Sequence, residues 1–524
     1  MKTDDINCIF KHNFNLYFNM DSLKDLIEVL NEQDKIAFKA FLNGKNKRQD
    51  VKNIKLFNFI ETDDIKSVNN LFKTSKNKDA YHALRKRLYD SLLVFISQRT
   101  FENSSDEAYD ILRFLVVARF LLERNLVKIG FKTLVKAEKL AETQEQYSYL
   151  NEILLLRLQF SHLDEHINLT DLTEKFRINQ NHMQREAKLR LAYAALRREL
   201  NEIHLKAKVV NLTELIENTI RHYHINMLDL MNYKSLYQIL YIANEYAAIN
   251  QNYGLIEKYL IKSHQFIEGQ KINTKSQVFY HLHILYYLAN FTLRNRNFSE
   301  SLNYLKQLNG LLEQNKQYFE LLFVRQNLLF ALNYFFSGDA QAGIDSLENT
   351  LQNLPVKSSQ EDRDDLILSK AMFLAQLDDR NSMRYLARLT HSDAWYEKKL
   401  GMLWSIRKNL MEILLHAQFE NIELAMSRMK SFKRRYKQYL RSVGEERVLH
   451  FLNLVKKYLL NPDIIFQHSY QQTVYSMLDR EENKDIFNLS FIAWLVSRWE
   501  KQKPYVVSLR LIQEIKENSP TKMT

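Results

Sequence analysis

With 524 residues the chain is several times the length of an ordinary domain, so it must either divide or extend as an array. Only 9 Gly and 4 Pro occur, where average usage puts roughly sixty of the two together, which excludes a turn-rich β fold; the 46% of hydrophobic residues recur at the three- and four-residue spacing of helices with one buried face. The net charge of +12, from 74 basic against 62 acidic residues, is spread along the chain, so it invites a nucleic-acid partner without requiring one.

The chain opens with an apolar stretch broken by Lys11, His12 and Asn13, which is no core for a secretory signal. No later stretch approaches the 18 or so uncharged apolar residues of a membrane span, so no membrane insertion is expected. The single cysteine, Cys8, excludes an internal disulfide framework and a cysteine-rich metal site, and it suits a reducing, cytoplasmic setting. No cofactor is expected.

Residues 1–104 read as an N-terminal helical unit. Asp21-Ser22 offers a helix start before LKDLIEVL, and the polar run Gly44–Asp50 ends the following helix. The stretch AYHALRKRLYDSLLVFISQ then puts Leu84, Leu88, Leu92 and Phe95 on one face. The polar FENSSDEA (Phe101–Ala108) closes the unit. Residues 105–235 form a helical region open to divergent repeats, in which Gly130, Leu134 and Ala137 take the small, large, small spacing of a helix packed closely on its predecessor. Asn168 or Asp171 is expected to cap the helix that follows.

Residues 236–461 hold the clearest regularity. Val324–Pro355 carries Phe330-Ala331, Tyr334, Gly338-Asp339, Gly343-Ile344, Leu347, Leu351 and a closing Pro355. Looser copies place Ser301, Ser382 and Ala425 where this one has Gly343, with spacings of 42, 39 and 43 residues. This pattern resembles the tetratricopeptide repeat, although Asn327 stands where that family has a large apolar residue and the spacing exceeds its unit of about 34. The resemblance implies an all-α fold, a right-handed α-solenoid of divergent helix pairs. Residues 462–524, with Trp494 and Trp499, then read as a C-terminal helical cap. The first 160 residues, with DKIAFKAFL, ALRKRLYDSLL and ILRFLVVARFLLERNLVKIGFKTLVKAEKLAE, are similar to helical-repeat proteins of Bacteroidetes in pattern. That likeness implies a fold and hands over no activity.

Catalytic motifs are scarce. No glycine-rich phosphate loop and no HExxH occurs. The pairs His222/His224 and His281/His283 have a spacing that points two rings on a helix apart, which does not make a shared metal site. Two spacings, Arg177 to His182 and Arg198-Glu199 to His204, resemble those of the helical HEPN ribonucleases. The densest basic cluster, Ser431–Ser442, interleaves Lys433, Arg434, Arg435, Lys437 and Arg441 with Phe432, Tyr436 and Tyr439. It suits phosphate contact with base stacking, or an ordinary amphipathic helix with its aromatics packed inward.

In the tetratricopeptide family set positions of each first helix line an inner groove. The resemblance carries these onto His283, Tyr286, Asn290 and Arg294 in one unit and Arg325, Leu328, Leu332, Phe335 and Phe336 in the next. Asn290 and Arg294 partly resemble a clamp for a peptide's terminal carboxylate, though the family's lysines are absent. The expected function is therefore a non-enzymatic scaffold binding a protein or peptide in that groove. The alternatives are packing of these residues on a neighbouring helix, a nucleic-acid-associated factor, or a helical ribonuclease.

Overall fold

The computed structural model describes residues 21–28, 30–45, 52–62, 78–103, 107–164, 167–206, 212–226, 230, 232–250, 257–268, 275–355, 358–442, 444–479 and 485–518. Cys8 and the rest of 1–20 lie outside them. Every regular element among the described residues is a helix. No described helix is long and apolar enough to cross a membrane. The chain divides into two units, 1–180 and 181–524, a boundary that falls inside the 105–235 region of the sequence reading.

In the first unit, α1 (Asp21–Glu28), α2 (Glu32–Lys45), α3 (Lys52–Glu61) and α4 (Lys78–Asn103) enclose Leu23, Phe38, Leu56, Phe57, Leu88, Leu92 and Phe95. A second core lies among α5 (Glu107–Leu122), α6 (Val127–Thr143), α7 (Tyr147–Gln159) and the start of α8 (Leu169–Lys206). Gly130 explains how closely α6 lies on α5: a Cβ there would stand 2.7 Å from the Leu122 side chain. Asn168, rather than Asp171, caps α8, its Oδ1 accepting the Thr170 amide at 3.0 Å.

The second unit adds α9 (Leu212–His222), then a row of helices that pack side by side in chain order: α10 (Tyr233–Asn250), α12 (Lys275–Arg294), α14 (Phe319–Phe336), α16 (Gln360–Gln376) and α19 (Met402–Gln418). Each is backed by a following helix: α11 (Glu257–Glu268), α13 (Phe298–Gln314), α15 (Ala340–Gln352), α17 (Asn381–Leu386) and α20 (Ile422–Ser442). The short α18 (Asp393–Lys399) intervenes before α19, and α21 (Glu446–Leu460) follows α20. The small anchors Ser301, Gly343, Ser382 and Ala425 are all buried where the backing helix meets its partner. At Gly343 an added Cβ would lie 3.0 Å from both the Ala331 carbonyl and the Phe335 Cβ. Ser301 uses its hydroxyl instead, donating to the Ala289 carbonyl at 2.7 Å.

One turn recurs through this row. Arg296, Gly338, Asp378 and Glu420 all have positive φ, at intervals of 42, 40 and 42 residues. The next residue, Asn297, Asp339, Asp379 or Asn421, sends its amide back five residues, to Thr292, Tyr334, Leu374 and His416 respectively, at 2.8 to 2.9 Å. That is the bond by which a left-handed residue closes a helix. Asn297 and Asp339 then cap the next helix through their side chains.

The C-terminal segment departs from an end cap. Helices α22 (His468–Tyr475), α23 (Ile486–Glu500) and α24 (Pro504–Asn518) do not contact α21 and its neighbours alone. The Tyr505 hydroxyl donates to the Phe335 carbonyl at 2.9 Å, and the Trp494 indole donates to Gln418 Oε1 at 3.1 Å. Asp485, at the start of α23, holds Arg294 at 3.0 Å, 191 residues back. A terminal repeat touches only its neighbour; α23 and α24 reach across several helices of the row.

Candidate functional site

The row, with α23 laid against it, leaves a cavity of about 490 Å³ within the second unit. Its wall takes Tyr241 and Asn244 from α10, and Tyr286, Asn290 and Arg294 from α12. Arg325, Leu328 and Leu332 come from α14, an acidic turn of Glu361, Asp362 and Asp365 from α16, Arg407 and Met411 from α19, and Phe487 and Phe491 from α23. Successive residues on one helix face recur every three or four positions. That is why Tyr286, Asn290 and Arg294 reach the cavity together, as do Arg325, Leu328 and Leu332.

Six positions assigned to an inner groove by the resemblance therefore lie on one wall. Three do not. Phe335 and Phe336, further along α14, are fully buried in the core and do not line the cavity. The Phe335 ring stacks on Phe373 at 3.8 Å and lies 4.6 Å from Tyr505. His283 is buried against Phe279 and Tyr237, at 4.6 and 5.1 Å between ring centroids. Burial, with a smaller effect of the Arg325 charge, holds its pKa down to about 4, so it is a neutral core residue.

The polar groups of the wall are held in place. Asn290 donates to Asn244 Oδ1 at 3.1 Å, and Arg325 Nε to Asp362 at 3.1 Å. Trp404 donates to Asp365 at 2.7 Å; burial nevertheless pushes that carboxyl up to about 6. Arg294 already grips a carboxylate of the chain itself, Asp485, and lies 4.2 Å over the Phe487 ring. Its arginine thus anchors α23 instead of clamping an incoming terminus. Neither His nor Cys lines this cavity. Among the described residues no cluster of three or more His, Cys, Asp or Glu is placed to hold a metal ion. What the wall offers is fixed hydrogen-bonding groups set among tyrosines, leucines and methionines, the make-up of a binding surface.

A smaller pocket of about 30 Å³ lies beside this cavity, with Met372, Met411 and Phe491 lining both. Sequence reasoning missed it. Among its lining residues is Gln376, at the end of α16 and 5% exposed.

The basic cluster falls on α20. Phe432 and Tyr436 are buried, Tyr436 against the Ser405 hydroxyl at 2.9 Å, so they present no stacking face. Arg435 pairs with Glu397 at 2.8 Å and Arg441 with Glu446 at 3.3 Å. Lys433 reaches Asn453 on α21 at 2.6 Å; burial and the nearby charges of Lys456 and Lys437 hold its pKa below the ordinary lysine value. Arg434 and Lys437 are exposed. Arg177, His182, Arg198 and His204 all lie on α8, where Arg177 is engaged by Glu174 at 2.8 Å; the His204 side chain lies outside the described residues.

No family model, no curated protein and no solved structure matches the chain.

Proposed function

We propose that the chain is a non-enzymatic binding protein, a divergent tetratricopeptide-like array that holds a segment of polypeptide in the cavity of its second unit. One observation carries this reading: six side chains drawn from two helices by a single register converge on one cavity that mixes aromatic, aliphatic and amide groups. An extended peptide matches that mixture, because it brings both apolar side chains and backbone hydrogen-bonding groups. The single cysteine fits a reducing cytoplasm as the place of action. Affinity selection from a degenerate decapeptide library on the full chain tests the proposal. Enrichment is expected with the natural protein and is expected to vanish with Leu328→Arg, which fills the cavity. Selection of nothing, or enrichment that survives Leu328→Arg, contradicts it.

A second reading, a nucleic-acid-associated factor, draws on Lys433, Lys437 and Lys456, whose mutual repulsion a phosphate would relieve. It predicts binding to mixed RNA and DNA that weakens steeply with salt and is reduced by Arg434→Glu with Lys437→Glu.

A further inference from the structure

We infer that the outer face of α20 and α21 grips the phosphate backbone of a nucleic-acid duplex, without regard to base sequence. The inference rests on the second, nucleic-acid reading and narrows it to one class of polymer. Helical register sorts the cations of α20 into two edges and a middle stripe. On the edge turned toward α18 and α19 each cation is neutralised, Arg428 by Glu412 at 3.1 Å and Arg435 by Glu397 at 2.8 Å. The middle stripe, Lys430, Arg434 and Lys437, is exposed, and the opposite edge carries Lys433 across to Asn453 of α21. Lys456 is exposed on α21. Burial first, and then the charges of Lys456 and Lys437, hold the Lys433 ammonium below the ordinary lysine pKa, so these cations stand close together. Among the described residues none of the five is paired with a carboxylate. Arg441, next along the stripe, is taken by Glu446, and Glu423 lies two turns before Lys430.

Unpaired cations gathered on one rigid surface repel one another, and a polyanion relieves that repulsion. What else the face offers decides the form of the polyanion. Phe432 and Tyr436 are buried, so neither ring is free to stack on the splayed bases of a single strand. The exposed positions between the cations are polar, Ser427, Ser431 and Gln438. An acidic peptide would therefore find nothing apolar to bury in return for being ordered. A duplex is ordered already. It carries one charge per about 1.7 Å of axis, and its affinity comes from releasing condensed counterions, which needs no pocket. Lys430 to Lys437 spans about 10 Å of helix, a length of duplex bearing about six phosphate charges. Packed helices lie about 8–10 Å apart, so Lys456 adds a second row. Contact stops at the backbone because α20 is flanked by α19 on one side and α21 on the other. A surface of packed helices cannot enter a major groove about 12 Å wide, and without entry the base edges go unread.

The test follows fluorescence anisotropy of labelled duplexes, about 20 base pairs long and of unrelated sequences, as DNA and as RNA, on adding the full chain. The separate strands are measured alongside, with polyglutamate and anionic-lipid vesicles as competitors. The unrelated sequences are expected to bind alike, and about tenfold more tightly than the single strands. The logarithm of the binding constant is expected to fall against that of salt concentration with a slope of about −4.5, for five cations. Lys430→Gln, Lys437→Gln and Lys456→Gln keep a side chain suited to an exposed helix position, and each is expected to reduce that slope by about one. Single strands that bind as tightly as duplexes, or a duplex bound in one sequence only, overturn the inference and leave the nucleic-acid reading standing. Competition by polyglutamate or by vesicles as strong as that of unlabelled duplex overturns the inference, since any polyanion then suffices. A slope unmoved in all of the variants puts the contact elsewhere and overturns it too. Binding of no nucleic acid at all overturns the inference together with that reading. The comparison of duplex with single strand on the natural chain decides the matter even should a variant fail to fold.

Discussion

His281 and His283 stand two residues apart on α12 and are both buried, His281 with its Nδ1 3.4 Å from the Tyr233 hydroxyl. Burial holds each down to about 4. The unfolded chain takes up protons below about 6.5, while the folded rings stay neutral until about 4. Stability is therefore complete above pH 7 and is lost as pH falls from 6.5 towards 4, by about 2 kcal/mol per histidine at pH 5. Asp365 acts in the opposite sense: its raised pKa of about 6 means that its penalty is present above pH 6 and relieved below, a gain of only about 1 kcal/mol over the same interval. The histidines win. Urea unfolding followed at pH 7 and pH 5 is expected to show a net fall, most of which His281→Gln with His283→Gln removes; an unchanged pH dependence in that variant would contradict the assignment. At this scale the sequence was legible where register alone decides, as at Tyr286, Asn290 and Arg325. It was not legible at Phe335 and Phe336, because they continue the face of Leu328 and Leu332 and are covered there by Phe373, Tyr505 and Phe487, which come from other helices.

The recurrent turn is the strongest regularity among the elements, and it was half legible. Gly338 marks one copy because glycine suits a positive φ; Arg296, Asp378 and Glu420 hide the other three. The signal that finds them is the following Asn or Asp, at 297, 339, 379 and 421, which caps or opens the next helix. An ordinary side chain in the left-handed region costs about 1–2 kcal/mol, partly offset by glycine's greater freedom when unfolded. Arg296→Gly, Asp378→Gly and Glu420→Gly are each expected to stabilise the chain by about 0.5–1 kcal/mol. Chemical denaturation measures this, and destabilisation by all three would refute the account of the turn. Gly343→Ala tests the helix pair that the turn joins: with 3.0 Å to the Ala331 carbonyl, overpacking is expected to cost about 1–3 kcal/mol.

Across the whole of the second unit, the C-terminal helices are part of the core rather than its lid. Ile486, Leu489, Ala493, Leu495 and Val496 of α23 are completely buried, so freeing that helix would expose far more apolar surface than a marginally stable fold tolerates. A chain ending at residue 480 is expected to lose amide exchange protection in α14 and α16, far from the cut, whereas an end cap would leave those helices protected. The sequence pointed to an end cap because contacts such as Tyr505 to Phe335 leave no periodic trace. The all-helical character was legible throughout, carried by Leu spacing and the scarcity of Gly and Pro. The claim at the centre is that polypeptide lies in the cavity. It is tested most directly by a benzophenone amino acid placed at Tyr241, where the cavity wall already carries an aromatic ring, in the full chain and irradiated in the cells that make it, with the adducts read by mass spectrometry. The account predicts adducts to a short stretch of polypeptide that are lost with Arg325→Ala. Adducts to nucleic acid, or none above background, would contradict it.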